Sequence, residues 1–500
     1  MAIKNEGSTG GGCFIEKESG ISSKEKEVSV ESGKIRIESD SIGDKEIPAE
    51  AYFGINTFRA LENFSVSSFR VHPELIRAIA AIKKAAAITN FQLGLLAKEK
   101  AKAITRACDE IMAGRLQKEF KIDAYQGGAG TSTNMMVNEV VANRALEIMG
   151  EEKGSYEIIH PNDDVNKGQS TNDVYPTALR IAVLKLLDPL TESFASLQQA
   201  LQEKEADFAG IIKLGRTQLQ DAVPITLGQE FAAYAEAIGR DRWRLYKIEE
   251  RLKKTNLGGT AIGTGLNTPQ AYIFKISQNL RQVTGLSLAH AENMIDITQN
   301  MDIFVEVSGL LKAAAVNLSK IASDLRLLSS GPRGGIAEIK LPAVQAGSSI
   351  MPGKVNPVIC ELINQISIEV ISADQAITLA ARDGQLELNA FSPLIAHKLL
   401  NSLEIMRRGV DIFIAKCIKG VEANPERCKE LLDNSLARIT ALVPYLGYDK
   451  CSKLACKIIE TGKDLQEVVI TEGLLSRKEL DEIFNKETMT RPGIIKISDP

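Results

Sequence analysis

Apolar residues recur at spacings of three and four along most of the chain, the signature of helices that bury one face. Ile76, Ile79, Ile82 and Ala86 form one such stripe in a helical stretch predicted from about Pro73 to Gly114. A second stripe runs through Ile181, Leu184, Leu187, Leu190, Phe194, Leu197 and Leu201, with Pro189 placed to bend it. Phe231, Tyr234, Ala235, Ile238, Leu245, Ile248 and Leu252 mark a third, with Arg240, Arg244, Glu249 and Lys253 on other faces. Further long helical patterns cover about 298 to 330, 357 to 383 and 389 to 419; the middle of these carries Ile359, Leu362, Ile363, Ile366, Val370, Ala373 and Ile377. Short extended pieces with turns are expected only from Ile35 through the IPAEAYFGINTFRALENF stretch, and hairpin signals are nearly absent from the middle of the chain. The pattern therefore predicts an all-α protein built on a bundle of long helices.

Composition shifts divide the chain further. Residues 1–33 are rich in Gly, Ser, Glu and Lys with few apolar positions, and are expected to be a disordered extension. Residues 34–172 read as a mixed, mainly helical domain and 173–424 as the central bundle. Residues 425–500 carry shorter helices punctuated by Gly and Pro, and are expected to form a small appended helical domain.

Polar loops interrupt the helices: QGGAGTSTNMMVNE, NDDVNKGQSTND, GRTQLQDAVPITLGQE from Gly215 to Glu230, LGGTAIGTGLN from Leu257 to Asn267, and GSSIMPGKVNP from Gly347 to Pro357. The glycine-dense fourth loop has no GK[ST] ending and follows a helix rather than a strand, which disfavours a phosphate-binding loop. In the last, Gly347 and Gly353 loosen the backbone, Ser348 and Ser349 offer hydroxyls, and Lys354 adds a positive charge. Asn356 and Pro357 read as N-cap and first residue of the following helix. Any one of these loops could be an ordinary turn or cap. Together they form a plausible site for a dicarboxylate, rich in neutral donors with one well-placed lysine.

At 500 residues, with 44% hydrophobic and 25% charged residues, the chain has ordinary globular usage and length enough for several domains. A net charge of −4 leaves no basic footprint for nucleic acid. No apolar run approaches the roughly 18 residues of a membrane span, and the first twenty residues lack the apolar region of a signal peptide. Seven scattered cysteines (Cys13, Cys108, Cys360, Cys417, Cys428, Cys451, Cys456) argue against a disulfide framework or structural zinc, and fit a reducing cytoplasmic setting. Four isolated histidines (His72, His160, His290, His397) lack metal-ligand spacing and default to structural roles.

These loops also carry a resemblance. GSSIMPGKVNP is similar to the signature loop of the aspartase/fumarase superfamily, and the likeness extends to QGGAGTSTNM, NKGQSTNDVYPT, GRTQLQDAVPITLGQE, GGTAIGTGLN and AYFGINTFRALENF, covering about residues 35–490. It implies a three-domain, homotetrameric all-α fold whose central bundle is shared and whose loops from different subunits meet. It also implies no cofactor, with a divalent cation such as Mg as an activator at most. Within the superfamily the likeness is nearest to the ammonia-lyases that convert L-aspartate to fumarate. By that resemblance Ser348 is the general base, and Thr131, Ser170, Thr171 and Ser349 hold the β-carboxylate. Thr217, Lys354 and Asn356 hold the α-carboxylate, while Asn172 and Gln218 receive the amino group. A serine can act as a base only as an oxyanion, which requires surrounding N–H dipoles and positive charge. The loop is accordingly expected to close over substrate, with Gly347 and Gly353 as hinges.

Two positions refine the reading. In fumarases the residue matching Gln218 is a histidine, commonly paired with a glutamate corresponding to Glu361. A glutamine cannot take a proton but can accept a hydrogen bond from an ammonium group, so it favours ammonia loss. Fumarate hydration stays as the alternative, and a non-catalytic structural member of the superfamily as a second, disfavoured by the joint presence of Ser348, Lys354 and Asn356. Asp164, in HPNDDVNK, stands where relatives usually carry histidine, which puts a secondary carboxylate site in doubt.

Overall fold

The computed structural model describes residues 34–494. The extension predicted over 1–33 lies outside them.

Five long helices pack into a closed ring. The helix Thr171–Asp207 lies against Leu227–Leu252 and Ser392–Lys416; Asp302–Leu328 lies against Leu227–Leu252 and Val358–Arg382; and Val358–Arg382 completes the ring against Ser392–Lys416. The predicted stripes face inward, although Ile359, Leu362 and Ile366 on Val358–Arg382 are only half-buried. Leu187, Leu190, Phe194, Leu197 and Leu201 are fully buried on the first helix, and Phe304, Val307, Leu311, Ala314, Leu318 and Leu325 on the third. Each Leu or Phe so buried contributes roughly 1.5–3 kcal/mol.

The helix Thr171–Asp207 runs unbroken through Pro176 and Pro189. Pro176 has no N–H to offer the carbonyl of Asn172 one turn back, and Asn256 fills the vacancy, its Nδ2 donating to that carbonyl at 3.1 Å. A side chain from the glycine-dense loop thereby replaces a helix bond.

The predicted stretch 73–114 forms two helices, Pro73–Gln92 and Lys98–Met112. With Thr131–Met149 they cover one end of the bundle, and Pro73–Gln92 also touches Gln270–Thr284. A hairpin, Ile35–Asp40 with Gly43–Pro48, sits at the start, as expected. At the other end of the chain Leu442, Leu454, Val469, Leu480 and Ile483 form an apolar cluster of their own. Among the described residues no helix is long and apolar enough to cross a membrane.

Two expectations need correction. The stretch read as a polar loop from Gly215 is a β-hairpin, Ile212–Thr217 paired with Gln220–Thr226. The last bundle-facing loop does not end in an Asn cap. The helix begins at Val358, Pro357 stands at the cap without a side-chain bond, and Asn356 turns back into the loop.

Candidate active site

The predicted site residues fall in three groups, the first built on two helix N-termini. Ser170 caps the helix Thr171–Asp207 in a reciprocal box: its Oγ accepts from the N–H of Asn172 at 3.2 Å, and Asp173 Oδ1 accepts from the N–H of Ser170 at 3.0 Å. Asp173 Oδ2 accepts from the N–H groups of Gly258 and Thr260, both at 3.0 Å, and Asn172 Nδ2 donates to the carbonyl of Ala261 at 2.8 Å. The glycine-dense loop is thus docked on the helix start. Thr171 is buried, and its Oγ1 accepts from Asn134 Nδ2 at 3.1 Å.

Asn134 belongs to the helix Thr131–Met149, whose first residue, Thr131, is exposed and donates through Oγ1 to the carbonyl of Gly128 at 2.8 Å. Gly130, just before it, has φ +89°, and a Cβ there would meet the Tyr175 ring at 2.2 Å. Only glycine lets these two helix starts approach each other. Their aligned positive ends suit a carboxylate.

Beneath them lies a buried ionisable pair that sequence reasoning missed. Lys83 is fully buried and donates through Nζ to Asn166 Oδ1 at 2.7 Å and Gln169 Oε1 at 3.0 Å. Burial pushes the Lys83 ammonium down to about 7 and the Asp173 carboxyl up to about 7, while their opposite charges moderate both shifts. A signal existed in the sequence: Lys83 occupies the stripe position that follows Ile76 and Ile79 at helical spacing.

Thr217 and Gln218 form the second group, at the exposed tip of the hairpin. Thr217 pairs with Gln220, leaving Gln218 and Leu219 as a two-residue turn with φ of +54° and +61°. Such turns favour Asn and Gly, so a Gln-Leu tip sits in a conformation that most side chains avoid. The base of the hairpin is rigidly held. Glu338, completely buried, takes Lys213 Nζ at 3.0 Å and Arg216 Nη1 at 3.0 Å, and Lys213 also reaches Glu230 at 3.0 Å.

The third group is the loop from Gly347. Its neck is clasped: the N–H of Gly347 donates to the Lys354 carbonyl at 2.8 Å, and Asn356 Nδ2 donates to the Gly347 carbonyl at 2.8 Å. A Cβ on Gly347 would meet the Lys354 carbonyl oxygen at 2.7 Å, so this glycine serves the clasp; Gly353, at φ +78°, makes the turn. Within the loop, Ser348 Oγ accepts from the N–H groups of Ile350 at 3.2 Å and Met351 at 2.9 Å. Ser349 and Lys354 are exposed. Ile350 is 83% exposed, which is costly for an apolar residue on a closed surface.

Among the described residues, no hydrogen bond or ion pair of these side chains runs from one group to another. No cluster of three or more His, Cys, Asp or Glu is placed to hold a metal there either. Asp164 accepts from Lys100 Nζ at 2.9 Å and from the N–H of His160 at 2.9 Å, so its charge is paired.

A family profile described as "Lyase" matches residues 43–372, and one described as "Fumarase C C-terminus" matches residues 439–491. An aspartate ammonia-lyase from a Bacillus species is 50% identical over 460 residues, spanning 92% of this chain and 98% of the relative. A crystal structure titled as a fumarate lyase:delta crystallin from Brucella melitensis bound to cobalt superposes with a TM-score of 0.89 at 48% identity, covering 92% of this chain and all of that one. A class II fumarase from Schistosoma mansoni superposes with a TM-score of 0.87 at 36% identity, covering 90% of this chain and 98% of the fumarase. The lyase profile alone takes in well over half of the 500 residues, and the second profile takes in the C-terminal cluster: the chain belongs to the aspartase/fumarase family of lyases.

Proposed function

We propose that this protein is an aspartate ammonia-lyase, a carbon–nitrogen lyase that reversibly eliminates ammonia from L-aspartate to give fumarate. The observation that carries the reading is the identity gap. The chain shares 50% identity with an aspartate ammonia-lyase over 92% of its length, against 36% with a fumarase on which it superposes with a TM-score of 0.87. Gln218 at the hairpin tip supports the same choice, since its amide can accept from ammonium but cannot move the proton that hydration requires.

In the proposed reaction Ser348, as an oxyanion, takes the proton from the substrate Cβ. The electrons left behind spread into the β-carboxylate as an enediolate, then form the carbon–carbon double bond as the C–N bond breaks and the amine leaves as ammonia. The two N–H groups on Ser348 Oγ are the kind of donors that hold such an oxyanion. Thr131, Ser170, Thr171 and Ser349, at the helix N-termini and on the loop, are the proposed enediolate donors. Thr217, Lys354 and Asn356 hold the α-carboxylate, and Asn172 and Gln218 the amine. No metal or cofactor takes part in these steps.

The proposed assembly is a homotetramer in which loops from different subunits complete each site. Its support is that no hydrogen bond or ion pair joins the three groups within one chain among the described residues, together with large apolar side chains left exposed on ring helices, such as Trp243, Tyr246, Val316 and Ile368. A cytoplasmic location suits the thiols, which are unpaired among the described residues. Incubation with fumarate, with and without ammonium, tests the activity. Aspartate formed only with ammonium supports it, and malate formed without ammonium supports hydration instead.

A further inference from the structure

We infer that Lys83, acting through Asn166 and Asn134, is a positioning residue that fixes the Thr171 hydroxyl as a hydrogen-bond donor to the substrate carboxylate. The inference rests on the dicarboxylate reading of this site.

The geometry has a direction. Asn166 Oδ1 accepts from Lys83 Nζ at 2.7 Å and also from Asn134 Nδ2 at 3.2 Å, and Asn166 Nδ2 is tied to the carbonyl of Gln169 at 3.2 Å. The lysine thus settles which end of the Asn166 amide faces Asn134. That settles Asn134 in turn: its NH₂ group points at Asn166 Oδ1 and Thr171 Oγ1. A hydroxyl has one proton and two lone pairs. With a lone pair taken by Asn134, the Thr171 proton has no acceptor among the described residues and is free for an incoming anion.

Charge argues the same way. A fully buried ammonium held by amide oxygens, beside the positive ends of two helices, accumulates positive potential with Asp173 as its buried counter-charge. A purely structural lysine needs none of this and is more cheaply replaced by an apolar residue.

Fumarate amination by the full assembly supplies the test, with Michaelis constants read separately for fumarate and ammonium. Lys83→Met removes the charge and the donor, and Asn134→Asp removes the donor to Thr171 at nearly constant volume. Each is expected to raise KM for fumarate about tenfold, the factor for one lost charge-assisted hydrogen bond, with KM for ammonium unchanged. An unchanged KM for fumarate in both variants, or a parallel rise in both constants, overturns the inference. Calorimetric titration with succinate, which cannot react, keeps the two readings distinct. Wild-type protein that binds succinate but forms no aspartate refutes the proposed activity alone, and equal succinate affinity in wild type and both variants refutes the positioning role alone. Unfolding temperature and assembly size confirm that the variants are folded; should Lys83→Met fail to fold, Asn134→Asp decides.

Discussion

The N–H of Met351 points at Ser348 Oγ from 2.9 Å, and that of Ile350 joins it from 3.2 Å. A serine turned into its own loop in this way has two of the N–H donors that the proposed alkoxide needs. The serine hydroxyl is normally far too weak a base, and only N–H dipoles and nearby positive charge make the ionised form accessible. Replacing Ser348 by Ala is expected to lower kcat by at least about 10²-fold, the usual share of a general base. Steady-state kinetics on the folded variant check it.

Gln218 is proposed to receive the amino group at the other end of the substrate. Gln218→Leu removes the amide acceptor and leaves a slightly shorter apolar side chain. It is expected to lower kcat/KM for aspartate roughly tenfold, the loss of about one hydrogen bond to a charged group. Fumarate, which has no amine, should inhibit the variant as it inhibits the wild type, and competitive inhibition constants measure this.

The hairpin that carries Gln218 stands on a buried charge cluster. Glu338 serves both Lys213, which is 1% exposed, and Arg216. Glu338→Ala would leave Lys213 with Glu230 as its one carboxylate partner beside the Leu214 carbonyl, and breaking a buried ion pair from one side costs roughly 3–5 kcal/mol. Denaturant unfolding should show that loss, whereas replacing the exposed Lys340, paired to Glu422 at the surface, should cost less than about 1 kcal/mol.

Two buried imidazoles weaken the fold in acid. Burial holds His72 and His397 below the ordinary value of 6.5; for His72, Glu404 opposes the shift without cancelling it. Their folded-state values are depressed, so the unfolded chain binds more protons as pH falls through 6.5. The stability they contribute is therefore fully present above that value and is lost as pH drops through their folded values. The raised Asp173 carboxyl acts with the opposite sign over the same range, so the histidine part is read by difference: below pH 6.5 the wild type should lose more unfolding free energy than His72→Gln does.

The stripes from Ile181 to Leu201 and from Ile359 to Ile377 made the ring legible in the sequence, because apolar spacing is the same physics that packs the helices. The site loops were legible as clusters of hydroxyls, amides and glycines. Three things were not. The hairpin at Ile212–Thr226 was hidden because its tip is Gln-Leu, where a turn with positive φ at both positions would ordinarily declare itself with Asn-Gly. Asn356 looked like a cap because the pattern Asn-Pro before a helix has two solutions, and only the fold shows the side chain clasping Gly347 instead. The Lys83–Asn166–Asn134 chain joins residues far apart in sequence, and only its lysine, out of place in an apolar stripe, left a trace.

The most direct measurement follows L-aspartate conversion by purified protein, read as the rise in fumarate absorbance together with released ammonia, beside the Ser348→Ala variant. The wild type is expected to release equal amounts of fumarate and ammonia, and the variant to lose both. A wild type that leaves aspartate intact, or a Ser348→Ala variant of near-normal rate, would contradict the proposed reaction.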